Sequence, residues 1–157
     1  MKDGNRINLQ LWDTAGSEKY HSLMRNYIRN AQGCLLVFDL TDENSFNNIE
    51  IWRNEFLNAL NPSDGEKFPF ILVGNKLDLN NMIKVNEFQI KNYCDKHNNM
   101  PYFLCSAYTG KNVNLLFEKI ADLSLQRYRK FDDFNDGLIP GTIDLKNKKE
   151  PERKCCF

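Results

Sequence analysis

The stretch Phe70-Ile71-Leu72-Val73-Gly74-Asn75-Lys76-Leu77-Asp78 decides the fold of this chain. An apolar run of strand length ends at Gly74, and a cluster of polar residues follows it at once. This order is typical of a buried parallel strand whose polar residues lie at its carboxyl end. Because open α/β sheets bind their ligands at that end, Asn75, Lys76 and Asp78 are candidate binding residues.

The chemistry of these three side chains fits the recognition of a guanine base. Asp78 could accept hydrogen bonds from the ring N–H and the exocyclic amine of guanine, a donor pair that adenine lacks. A desolvated carboxylate left unpaired is costly, so this contact would discriminate between the two bases. Lys76 could lay its alkyl stem along the base or ribose, and Asn75 could tie the loop to its neighbours. From this stretch alone, a strand that ends in an ordinary polar loop remains an alternative.

Length and charge limit the classes of protein that the chain can belong to. Its 157 residues suffice for one domain with a real core. Lys+Arg and Asp+Glu both number 21, and this balance argues against a nucleic-acid-binding protein. No apolar run reaches the roughly 18–20 residues of a transmembrane helix, and the first residues lack the apolar core of a signal peptide. We therefore expect a protein of the cytosol.

The cysteines and histidines show no spacing typical of a zinc site. We expect Cys34, Cys94 and Cys105 to be small buried thiols, because each stands singly within an apolar or helical pattern. His21 and His97 are expected at the surface.

Periodicity predicts alternating strands and helices. Strands are predicted at 7–12, with one face buried, at 34–39, at 70–74 and at 101–105. A helix is predicted after Thr41, with Phe46, Ile49, Trp52, Phe56 and Leu60 as its core positions. A loop is expected at 80–86, a helix from there to about His97, and a last amphipathic helix marked by apolar residues from Val113 to Leu123.

Three motifs in order carry a resemblance to a known family. They are Trp12–Gly16, the Asn-Lys-x-Asp run at 75–78, and Cys105-Ser106-Ala107. Together they resemble the motifs of small GTPases, and the chain resembles the Rab branch of the Ras-like superfamily. The run at 52–57 with Phe68-Pro69-Phe70 is most similar to the Rab of late endosomes and of lysosomes or vacuoles. The resemblance implies an α/β P-loop NTPase (Ras-like) fold, with a mainly parallel sheet and flanking helices.

The resemblance implies roles for the residues around the first motif. Asp13 would hold Mg²⁺ through water, and the backbone N–H of Gly16 would meet the γ-phosphate of GTP. Ser17 stands where the family usually has the Gln that orients the attacking water, so we expect weak or absent intrinsic hydrolysis. Trp12 and Tyr27 fall at positions where Rab proteins present aromatic side chains to effectors. The alternatives are a turn-capping role for Asp13 and ordinary core packing for the two aromatic residues.

The guanine loop after the fourth strand also departs from the family in one place. Ser106 and Ala107 fit the loop in which a backbone N–H meets the guanine carbonyl oxygen. Tyr108 follows at the position where the family usually has Lys. The sequence therefore does not decide which side chain packs over the base.

The sequence after residue 127 is expected to be a tail. We predict a partial GTPase domain at 1–127 and a flexible hypervariable tail at 128–157. Cys155 and Cys156 resemble the double-prenylation site of Rab proteins, where two lipid chains give stable membrane anchoring. A disordered tail that happens to end in two cysteines is the alternative.

The resemblance also implies partners and a location. The partners are a Rab escort protein, a geranylgeranyl transferase, a GDP-dissociation inhibitor, an exchange factor, a GTPase-activating protein and tethering effectors. The location is the cytosolic face of the late endosome, lysosome or vacuole membrane, with cycling to the cytosol.

No Gly-x-x-x-x-Gly-Lys-Ser/Thr motif occurs in the 157 residues, although this motif cradles the phosphates in P-loop proteins. The first switch is also lacking, so we interpret the chain as truncated at its amino terminus. The P-loop strand would lie between the strands at 7–12 and 34–39, and its loss would open the sheet. We therefore expect weak nucleotide binding and poor folding from this chain alone. A non-catalytic effector-binding module and an incomplete gene model are the other two hypotheses.

Overall fold

The computed structural model describes residues 7–13, 28, 30–60 and 68–132, and of residues 130–132 only the backbone. Its three strands are β1 (Cys34–Asp39), β2 (Phe70–Asn75) and β3 (Tyr102–Leu104). The helices are α1 (Glu43–Asn47), α2 (Ile49–Ala59), α3 (Glu87–Lys96) and α4 (Val113–Asp132), with a short 3₁₀ turn at Asn80–Met82.

The strands form a parallel sheet in the order β1-β2-β3. The pairing of β1 with β2 runs from Cys34 opposite Phe70 to Asp39 opposite Asn75, so both strands end at the same level. β2 is in the middle and is buried along almost its whole length, which explains its uninterrupted apolar sequence. The expected α/β fold with a parallel sheet and flanking helices is confirmed.

Alternate residues of the central strand face two separate apolar cores. Phe70 and Leu72 belong to the larger cluster, which includes residues of α2 and α3. Ile71 and Val73 belong to the smaller cluster with Leu116 and others on and next to α4. The period of two along a strand thus divides one apolar run between the two layers of helices.

The helix predicted after Thr41 exists, but it is divided in two at Asn48. Asp42 starts α1 because its carboxylate accepts a hydrogen bond from the backbone N–H of Asn44 at 3.0 Å. Asn47 and Asn48 are poor helix formers, which fits a break at this point. The predicted core positions are confirmed, since all of them are buried in or packed against the larger cluster: Phe46, Ile49, Trp52, Phe56 and Leu60.

The two helices on the carboxyl side begin where the sequence predicted; α3 also ends close to the predicted His97, whereas α4 ends later than predicted. Asn86 starts α3 through a capping box, in which it exchanges hydrogen bonds of 2.9 Å with Gln89. α4 continues to Asp132, beyond the domain boundary predicted at residue 127. That boundary itself stays a prediction.

The prediction of a strand over residues 7–12 is wrong. Residues 7–13 have no regular secondary structure, and the side chains from Asn8 to Asp13 are exposed. Leu9 and Leu11, expected on a buried face, are 45% and 65% exposed. A strand requires a neighbour to satisfy its backbone hydrogen bonds, and in the described part of the chain the sheet begins at β1.

The thiols lie close to where the sequence predicted them, whereas one histidine does not. Cys94 and Cys105 are buried and Cys34 is half-buried; burial raises the pKa of the Cys34 thiol to about 12. His97 was expected at the surface, but it is half-buried, and its Nε2 lies 3.1 Å from Glu50 Oε2. Within the described ranges, no helix has the length and apolar character needed to cross a membrane.

Candidate functional site

The candidate site lies at the carboxyl ends of β2 and β3, where two loops are joined by backbone hydrogen bonds. The N–H of Cys105 donates to the carbonyl of Gly74 at 2.8 Å, and the N–H of Leu77 donates to the carbonyl of Cys105 at 2.9 Å. Because these bonds alternate between the two segments, the two loops are fixed relative to each other. The parallel pairing of the strands therefore brings together motifs that are far apart in sequence.

Asp78 is held by Ser106 across these two loops. The hydroxyl of Ser106 donates to Asp78 Oδ1 at 2.6 Å and accepts from the backbone N–H of Thr109 at 3.1 Å. Ser106 is completely buried, whereas the Asp78 side chain is exposed. An ionised carboxylate has about four acceptor positions, so Asp78 can accept further hydrogen bonds from a ligand while Ser106 orients it.

Asn75 connects the first loop to the second. Its Oδ1 accepts a hydrogen bond from the backbone N–H of Ala107 at 3.0 Å. The expectation that Asn75 ties the loop to its neighbours agrees with this contact. A backbone N–H of the Ser106-Ala107 loop was expected to meet the guanine oxygen; if the donor is Ala107, a bound base would have to share or replace the Asn75 contact.

Lys76 takes an unusual backbone conformation, with φ of 68°. Its Nζ lies 2.7 Å from Asp39 Oδ2, at the end of the neighbouring strand β1. The other oxygen of Asp39 accepts from both the N–H and the hydroxyl of Thr41, at 2.8 Å each. Burial raises the pKa of Asp39, but the hydrogen bonds from Lys76 and Thr41 outweigh it, so the pKa lies below its ordinary value. The hydrogen bond to Asp39 in turn raises the pKa of Lys76.

Asp39 is the residue of this region that the sequence did not single out as functional. It directly follows an apolar strand, and this position at a carboxyl end was the signal that could have found it.

Tyr108 is almost fully exposed, at 90%, on the turn that follows Ala107. The turn is held by the Ser106 carbonyl, which accepts from the N–H of Gly110 at 2.9 Å. An aromatic side chain therefore stands beside the candidate site where the family usually has Lys.

The residues predicted to meet the phosphates and effectors are only partly described. Asp13 and Trp12 are exposed, the latter at 57%, so the alternative of core packing does not apply to Trp12. The predictions for Gly16, Ser17 and Tyr27 lie outside the described residues, as do those for the lipidation residues Cys155 and Cys156. No group of three or more His, Cys, Asp or Glu that could hold a metal ion occurs in the part of the chain that the structure describes.

Comparisons with known proteins identify the family. A sequence model described as the Ras family matches residues 1–126. The chain is 41% identical to the Ras-related protein Rab7 of Pisum sativum over 152 residues, which cover 96% of this chain and 72% of that protein. It is 37% identical to Rab-7a of Paramecium octaurelia, with 99% and 76% coverage. It is 40% identical to Rab7 of Drosophila melanogaster, with 88% and 66% coverage. The chain therefore belongs to the Ras family and is a Rab7-like small GTPase.

Proposed function

We propose that this Rab7-like small GTPase, which acts in late endosomal trafficking, selects guanine nucleotides through the two loops at the ends of β2 and β3. The observation that carries the proposal is the 2.6 Å hydrogen bond from buried Ser106 to exposed Asp78. A carboxylate fixed in this way is preorganised to accept a pair of donors, which lowers the ordering cost of binding.

Base selection follows from the donors that each purine offers. Guanine offers its N1–H and its exocyclic amine to the two oxygens of Asp78, and its carbonyl oxygen to the N–H of Ala107. Adenine offers no donor at N1 and would leave the acceptor positions of Asp78 that Ser106 does not use desolvated and without a donor, at a cost of roughly 1–3 kcal/mol. Lys76 lays its alkyl stem against the base, while Asn75 keeps the Ala107 loop in place.

The phosphate side of the site is proposed to be weak in this chain. The 157 residues contain no Gly-x-x-x-x-Gly-Lys-Ser/Thr motif to surround the phosphates. Asp13 is exposed and can reach Mg²⁺ through water, and the Gly16 N–H would meet the γ-phosphate. Bound Mg²⁺ would neutralise phosphate charge. Ser17 has too short a side chain to orient the attacking water as Gln does, so we expect impaired GTP hydrolysis.

Family membership implies regulators and effectors, and association with the late endosome, lysosome or vacuole. The finer proposal is anchoring at the cytosolic face through prenylated Cys155 and Cys156, with cycling to the cytosol. The exposed Trp12 would contact effectors together with Tyr27. The partners would be the escort protein, prenyl transferase, dissociation inhibitor, exchange factor, activating protein and tethers that act on Rab proteins. A tail starting at residue 128 would place the domain at a distance from the membrane.

One alternative is favoured by a specific observation. Ser17 and the absence of the phosphate-binding motif from the 157 residues both suit a non-catalytic module that binds effectors without turnover. Measuring single-turnover hydrolysis of GTP separates the GTPase from the non-catalytic module. The GTPase converts bound GTP to GDP, whereas the module binds effectors without any such conversion.

Base selection is tested by titrating the 157-residue chain with guanosine, adenosine and xanthosine, followed by NMR chemical shifts. Nucleosides are used because they isolate base recognition from phosphate binding. We expect guanosine to bind more tightly than adenosine. Asp78→Asn should lose guanosine binding and favour xanthosine, since the amide oxygen can accept from the N1–H of xanthine while the amide NH₂ donates to its C2 carbonyl. Asp95→Asn, which removes an exposed carboxylate from α3, is the control. Equal binding of guanosine and adenosine would refute the proposal.

A further inference from the structure

The carboxyl ends of β1 and β2 place Asp39 beside the guanine loop. The two strands pair in register up to Asp39 opposite Asn75, and Lys76 is the next residue of the chain. Lys76 Nζ reaches back to Asp39 Oδ2 at 2.7 Å, a short distance that is typical of a charge-assisted hydrogen bond. The lysine that should lie along the base is thus tied to a residue on a different strand.

Asp39 is itself held rigidly. Thr41 donates two hydrogen bonds to its Oδ1, each of 2.8 Å. Ser45 Oγ accepts from the Asp39 N–H at 2.9 Å, and its hydroxyl donates to the Asp42 carbonyl at 2.7 Å, with a longer contact of 3.2 Å to the Asp39 carbonyl. Because the backbone and Oδ1 of Asp39 are held in this way, its Oδ2 has a fixed position. The flexible Lys76 side chain can form its hydrogen bond to this oxygen.

Lys76 is flexible only beyond its backbone. Its φ of 68° lies in the left-handed region, which a residue other than glycine occupies only when its surroundings hold it there. Its carbonyl accepts from the N–H of Leu79 at 3.0 Å, and the following Leu77 is bonded to Cys105. The side chain is 52% exposed. A lysine chain this exposed has many rotamers, and the contact with Asp39 selects among them.

We infer that Asp39 is a positioning residue for guanine recognition, which holds the Lys76 ammonium so that the alkyl stem is already aligned with the base before a ligand arrives. The inference rests on the proposed function, since it needs a base beside Lys76. Its physical content is preorganisation: the rotamers of Lys76 are restricted in the free protein, so less freedom is lost on binding.

The exposure of Lys76 and Asp39 indicates whether their ion pair should affect folding stability or ligand affinity. With side chains 52% and 22% exposed, the ion pair contributes little to folding stability. The charges of Asp42 and Asp78 also raise the pKa of Lys76, but their effects are smaller than that of Asp39 and involve no hydrogen bond. Loss of Asp39 should therefore affect ligand affinity more than unfolding, and loss of Asp42 should affect neither.

The experiment is a double-mutant cycle on the 157-residue chain, with guanosine as the probe and NMR chemical shifts as the readout. The variants are Asp39→Asn, Lys76→Met and the two combined. Asparagine keeps an oxygen for the Thr41 donors and replaces the charged acceptor that faces Lys76 by an amide NH₂, which cannot accept from the ammonium. We expect each single variant to bind guanosine about fivefold more weakly, and the double variant to bind no more weakly than Lys76→Met alone. Asp42→Asn is the matched control, because Asn caps a helix as well as Asp does.

Each outcome decides the inference. Unchanged affinity of Asp39→Asn overturns it, and so does an additive double variant, since a purely structural role of Asp39 would weaken binding without Lys76 as well. If Asp39→Asn loses its thermal transition in circular dichroism, Lys76→Met decides alone: fivefold weaker binding supports the inference and unchanged binding overturns it. Failure of the parent chain to prefer guanosine over adenosine refutes the proposed function instead.

Discussion

Replacing Ser106 by Ala should weaken both the fold and the proposed guanine site. The hydroxyl makes one hydrogen bond to the Asp78 carboxylate, at 2.6 Å, and one to the N–H of Thr109, at 3.1 Å. Bonds of these two kinds contribute about 1.5–3 and 0.5–1.5 kcal/mol. Asp78 and Thr109 are both exposed, so water can replace the lost Ser106 hydroxyl at each of them. The loss of unfolding free energy should therefore lie at the lower end of the summed ranges. We expect a loss of about 2 kcal/mol in the free energy of unfolding.

Urea denaturation followed by the fluorescence of half-buried Trp52 measures this loss, and a guanosine titration measures the site. Guanosine affinity should fall roughly tenfold, because Asp78 is no longer oriented. Thr109→Val is the control: it removes a hydroxyl from the same turn that accepts only a weak 3.4 Å hydrogen bond from Lys111. If Ser106→Ala differs from this control by less than about 0.5 kcal/mol, Ser106 does not hold the two loops together.

Two further changes test the core and the link between α2 and α3. In Gly74→Ala, the new Cβ would meet three side chains, the closest being Leu40 Cδ2 at 2.9 Å, and we expect a loss of about 1–3 kcal/mol in unfolding free energy by urea denaturation. Burial and then the charge of Arg53 lower the pKa of His97, although Glu50 opposes them, so the unfolded chain binds more protons near the ordinary pKa of 6.5. Stability should therefore fall as the pH is lowered through about 6.5 and level off below the native pKa. His97→Gln should show a smaller fall between pH 7.5 and 5, and an unchanged fall would contradict this cause.

Secondary structure and core positions could be predicted from the sequence wherever a local pattern of residues depends on burial alone. β2 is apolar without interruption because both of its faces are covered. The start of α3 is marked by the four residues from Asn86 to Gln89, whose end members form the capping box. Spacing of three and four marked the buried side of α1 and α2 in the same way. These features depend on neighbours in sequence or on burial, so they could be read before any pairing was known.

Features that depend on a distant partner could not be predicted in this way. The alternation at residues 7–12 indicates a preference for an extended chain, but a strand forms only beside another strand. Asp39 looks locally like part of the entry to α1, since Thr41 and Asp42 follow it. Its contact with Lys76 exists only because β1 and β2 pair in register, which no local pattern records.

The residues proposed to recognise the base and those proposed to meet the phosphates lie in different parts of the chain. The contacts that fix Asp78 and Ala107 run between the segment 74–79 and the segment 104–112, and both are described in full. The residues assigned to the phosphates lie in a different part of the chain, at 13–17, and they lack the usual phosphate-binding loop within the 157 residues. Ser106 holds the Asp78 carboxylate and Asp39 holds the Lys76 ammonium, and all four residues lie at the carboxyl ends of β1, β2 and β3. On the proposed assignment, the base specificity of the site would therefore come from this end of the sheet.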